Sequence, residues 1–103
     1  MEESSEQYGQ EQTAKSDEAV MNIGNDPVMQ SAVDVLSMLG NKNRVILRAK
    51  GNAIPNAVAV ANIITEKMLN GNSEIQNIKL DTESAAGIGR MTSTIEIILN
   101  KTQ

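Results

Sequence analysis

Both prolines of this 103-residue chain stand at the same kind of place, after a short β-like run and at the head of a helical apolar pattern, and that punctuation constrains the fold more than any other feature. Ahead of the first, Val20-Met21-Asn22-Ile23-Gly24 is a short apolar run ended by glycine, as expected of a first strand. Asp26 then precedes Pro27, the pairing of a helix N-cap with proline at the first helical position. Met29, Ala32, Val33, Leu36 and Leu39 recur at spacings of three and four, which predicts a helix with one apolar stripe and Gly40 as its stop.

The second proline repeats the pattern. After the polar turn Asn41-Lys42-Asn43, residues 44–50 are β-branched in the middle and basic at alternate positions. Side chains alternate across a strand, so Arg44, Ile46, Arg48 and Lys50 share one face and Val45, Leu47 and Ala49 the other. Gly51 and Asn52 break the run, and Pro55 opens a predicted helix over residues 54–69. Its apolar residues cover more than packing on one sheet requires, which predicts a homodimer with Val60, Ile64 and Met68 at the interface.

Beyond the turn Asn70-Gly71-Asn72, Ile75, Ile78 and Leu80 mark a strand reaching about Thr82, and residues 92–99 are strongly β-prone. Residues 83–90, with Gly87 and Gly89, read as the tip of the hairpin between them. The order is β-α-β-α-β-β. The fold class expected is α+β, a two-layer sandwich of two helices on a mixed four-stranded sheet.

Composition narrows the chemistry. Phe, Trp, Cys and His are absent and Tyr8 is the one aromatic residue, so the core must be aliphatic. The missing Cys and His remove disulfides, thiol nucleophiles and thiolate or imidazole metal sites, and no metal or cofactor is expected. The carboxylates Asp34, Glu66, Glu74, Asp81 and Glu96 are scattered without a catalytic pattern, which argues against an enzyme. No apolar run approaches the roughly 18 to 20 residues of a membrane span, so a soluble, cytoplasmic chain is expected.

The charge of −4 is unevenly distributed. Residues 1–19 hold six carboxylates against Lys15, whereas residues 20–103 hold eight cations and seven anions. The first segment has almost no large apolar side chain and is expected to be a disordered acidic tail, with the folded domain spanning residues 20–103. That domain holds no aromatic residue on which single-stranded bases could stack.

Three stretches resemble the Alba family of small nucleic-acid-binding proteins: Ile23-Gly24-Asn25-Asp26-Pro27-Val28-Met29, Arg48-Ala49-Lys50-Gly51-Asn52-Ala53-Ile54 and Ser93-Thr94-Ile95-Glu96-Ile97. They occur in the family's order and spacing, over about residues 20–101. The resemblance implies the fold read above, a homodimer able to assemble further on DNA, and binding of duplex DNA or RNA with the two hairpins reaching along the minor groove. It implies a role in chromatin organisation and a nucleoid-associated location. Carried onto this chain, the contact residues are Arg48, Lys50, Asn52, Asn56, Asn25 and Arg90.

The departures are as specific as the matches. Family members typically carry paired lysines where this chain has Asn25 and Asp26, and basic residues where it has Asn52 and Asn56. Asparagine can donate to a phosphate oxygen but releases no counterion, so binding is expected to be weaker or more selective. The alternative is a protein interaction module that pairs with a more basic homologue.

Overall fold

The computed structural model describes residues 18–84 and 91–102. Most of the predicted tail, and Gly87, Gly89 and Arg90 at the hairpin tip, lie outside the described residues. The elements run β1 (Glu18–Asn22), α1 (Val28–Asn41), β2 (Arg44–Lys50), a 3-10 turn (Gly51–Ala53), α2 (Ile54–Ile63), a wide helical turn (Ile64–Met68), β3 (Ser73–Ser84) and β4 (Met91–Lys101). The sheet order is β1-β2-β4-β3, with β1 parallel to β2 and the other pairs antiparallel. It is the expected two-layer α+β sandwich.

The first strand begins two residues earlier than expected, because Glu18 and Ala19 pair with Arg44 and Val45. The Glu18 carboxylate also accepts from the Arg44 guanidinium at 3.1 Å, which ties the start of the strand to the sheet. The fold therefore includes the last two residues assigned to the tail. Pro27 precedes α1 rather than opening it, with an extended ψ of 135° and no side-chain cap from Asp26. Gly40 lies inside α1, and the helix ends at Asn41.

The inward face of α1 is Ser31, Ala32, Val35 and Leu39, while Met29 and Val33, read as part of its stripe, are half-exposed. The small residues Ser31 and Ala32 permit the helix to lie close against α2 and β2. Below it, Val45, Leu47 and Ala49 of β2 are buried, so the alternation read from the sequence holds there, and Ile95, Ile97 and Leu99 of β4 are buried with the same period. The core of β1, β2, β4 and the helices is wholly aliphatic.

Helix α2 packs on β2, β4 and α1, and this third neighbour uses much of its apolar surplus. Val60 and Ile64 are fully enclosed at 0% exposure and Met68 is partly buried against the core, so the first two have no surface to offer a partner. The uncovered apolar surface lies elsewhere. A β-bulge between Ile75 and Asn77 places Ile75, Ile78 and Leu80 on one side of β3, facing the helix layer but not covered by it. Without the bulge, the three-residue spacing of Ile75 and Ile78 would put them on opposite faces.

Candidate nucleic-acid interface

Two loops and the open face of the sheet meet at one end of the molecule. Between β1 and α1, buried Ile23 anchors the backbone, its N–H donating to the Arg48 carbonyl at 2.7 Å, and Gly24, Asn25 and Asp26 are exposed. Between β2 and α2, Ala53 is buried and Gly51 and Asn52 are exposed. Gly51 has φ of +53°, a left-handed conformation that strains any residue with a Cβ. The Asn56 amide, in the first turn of α2, ties the first loop to the start of that helix by donating to the Gly24 carbonyl at 2.9 Å. Of the predicted contact residues, Asn56 thus has a positioning part within the chain.

The cations lie beside these loops. Arg48 and Lys50 project from the end of β2 onto the face that the helices leave open. Neither stands alone. The Arg48 Nε donates to Glu96 of β4 at 2.7 Å, and the Lys50 ammonium is 3.6 Å from Glu83 near the end of β3. In the sheet, Arg48 is opposite Glu96 and Glu96 opposite Lys79, so one carboxylate stands in a cross-strand row between two cations. The Lys50–Glu83 pair passes over β4 and links the end of β3, next to the hairpin tip, to the β2–α2 junction. Arg44 is at the far end of its strand, held by Glu18 and Asn100.

These groups line a concavity of about 660 Å³ that includes Asn22, Arg48, Lys50, Lys79, Asp81, Glu83, Thr94 and Glu96. Its three cations are matched by three carboxylates. Such a surface can exchange internal ion pairs for contacts to an external anion, but it does not present a net positive field. The structure brings Arg48, Lys50, the Asn25 and Asn52 loops and Asn56 of α2 to one end; Arg90 lies outside the described residues. Lys79 was missed, although the alternation of Lys79, Asp81 and Glu83 with Ile78 and Leu80 signals its face. Glu96 stands in the sequence as a scattered carboxylate and within the third matching stretch, with no interface role, because its partner is set by strand register and not by sequence spacing.

Residues 19–82 match the Alba family model. The DNA/RNA-binding protein Alba of Picrophilus torridus is 32% identical over 90 residues, covering 84% of this chain and 99% of that protein. The protein of the same name from Nitrosopumilus maritimus is 38% identical over 84 residues, covering 79% and 88%. Both names describe binding proteins and not enzymes. Among solved structures, Alba from Thermoplasma volcanium superposes with a TM-score of 0.71 at 32% identity, over 80% of this chain and 99% of that one. ALBA1 from Trypanosoma brucei shares the fold, with a TM-score of 0.67 at 16% identity over 88% and 74%. With the family model spanning both helices, and relatives aligned along nearly their whole length, the chain belongs to the Alba family.

Proposed function

We propose that the protein binds duplex DNA or RNA as a homodimer, through phosphate and groove contacts, and contributes to chromatin organisation in the nucleoid. The observation that carries this reading is the convergence of Arg48, Lys50 and the Asn25 and Asn52 loops at one end of the sheet, on a family fold whose relatives are named for DNA/RNA binding. Among the described residues no helix is long and apolar enough to cross a membrane. The balance of charge around the concavity supports binding weaker, or more selective, than that of basic relatives. A retained complex on immobilised duplex at low salt, released as salt rises, is the expected outcome; no retention at low salt would overturn it.

The dimer is supported by a different surface from the one read in the sequence. Leu80 is 75% exposed and Met91 70%, and with Ile75 and Ile78 they extend along the helix-facing side of the hairpin. Apolar area of this extent on one side calls for a partner, and a second copy supplies a matching surface. Higher assembly of dimers on DNA follows the family pattern. A second reading, an interaction module acting with a more basic homologue, is favoured by one observation: the site's cations are already matched by carboxylates. Mixing with such a homologue and following subunit exchange separates the two.

A further inference from the structure

We propose that Glu96 and Glu83 are internal competitors of the nucleic-acid phosphate, so that this chain sets its own binding strength by displacing carboxylates from its contact cations. The inference rests on the nucleic-acid reading above. Its basis is geometric. Glu96 accepts from the Arg48 Nε at 2.7 Å, within the range at which a phosphate oxygen would be held by the same group. Cross-strand register places it between Arg48 and Lys79, and the concavity opens over that row. Glu83, near the end of β3, forms a longer ion pair with Lys50 at 3.6 Å.

These pairs are strong enough to matter and exposed enough to exchange. The Arg48 side chain retains 51% of its exposure and Lys50 67%, so both cations remain accessible while paired. A phosphate that engages either must displace the carboxylate or remain beside it, and both routes cost affinity. The Lys50–Glu83 pair also spans β4, so a phosphate that takes Lys50 releases a contact between the end of β2 and the end of β3. Glu96 and Glu83 are therefore strength-determining residues of the interface rather than parts of a solvated face.

The test is a double-mutant cycle in the full chain, titrating duplex DNA and duplex RNA at a fixed moderate salt of about 0.1 M. Glu96→Gln should tighten binding by roughly 1.5- to 5-fold for each engaged site, the factor an exposed ion pair carries. In an Arg48→Ala background most of that gain should vanish, since there is no cation left to release. Glu83→Gln should behave likewise against Lys50→Ala. The control is Glu74→Gln, on the same sheet face but about 13 Å along the strand, beyond the screening length at moderate salt; it should change little. Binding by the parent chain with no gain from either Gln variant, or with an equal gain in the Ala backgrounds, would overturn the proposal while leaving nucleic-acid binding in place. Absence of binding by the parent and by every Gln variant would overturn both. Binding that emerges only in the Gln variants would support both.

Discussion

At the scale of single residues, the asparagines separate into two roles. Asn25 and Asn52 are exposed and available to a ligand, whereas the Asn56 amide is committed to the Gly24 carbonyl. Asn56→Ala should therefore lower folding stability by about 1 kcal/mol, visible in urea denaturation, and weaken duplex binding by loosening the β1–α1 loop from the start of α2. An unchanged midpoint would mean that the bond does not hold the loop. Asp26→Lys reverses a charge on an exposed loop and should tighten binding without altering folding stability by more than about 0.5 kcal/mol. The basic face of β2 was legible in the sequence because alternation alone assigns Arg48 and Lys50 to it. Their carboxylate partners were not, since a residue's cross-strand neighbour depends on register.

At the scale of elements, the helices and strands were largely legible, and the errors lie where packing overrides periodicity. The surplus on α2 read as a partner surface, yet Val60 and Ile64 are fully buried because α1 packs against α2 in the same layer. Periodicity counts apolar faces but does not tell which neighbour covers each. Ile64→Ala should cost about 2–5 kcal/mol in folding stability, as for a large aliphatic side chain removed from a core. Leu80→Glu, on the exposed side of the hairpin, should change folding stability by no more than about 0.5 kcal/mol per chain yet shift the protein toward monomer, read by sedimentation. A Leu80→Glu protein that sediments as the parent does would remove this surface from the interface.

The edge strand illustrates a second override. The bulge at β3 gathers Ile75, Ile78 and Leu80 on one face despite their irregular spacing, and leaves Lys79, Asp81 and Glu83 on the other. The backbone N–H groups of Ile78 and Thr82 donate to the side chains of Asn77 and Asp81, at 2.9 and 2.8 Å. Two donors of this edge strand are thereby satisfied locally, which discourages sheet extension by another chain. Association through the apolar face, rather than through the strand edge, is the consistent outcome.

At the scale of the whole molecule, electrostatics decides how the protein meets a duplex. From Glu18 to the C-terminus the cations and carboxylates are equal in number, eight of each, so the excess negative charge lies in residues 1–17. Deleting those residues should leave the thermal midpoint nearly unchanged and tighten duplex binding at low salt, because a negative segment is taken away from the phosphate surface. Equal or weaker binding by the shortened chain would contradict a repulsive tail.

The most direct test of phosphate contact is a titration of duplex DNA across several salt concentrations, for the parent and for Lys50→Ala. Four engaged cations in a dimer predict that log affinity falls against log salt with a slope of roughly −3 to −4, a shallow dependence for a DNA-binding dimer. Loss of Lys50 from each chain should reduce that slope by about two, by a similar amount on every sequence, since phosphates carry no base identity. Unchanged affinity and slope in a folded Lys50→Ala protein would contradict the account, and would make the open sheet face a solvated surface.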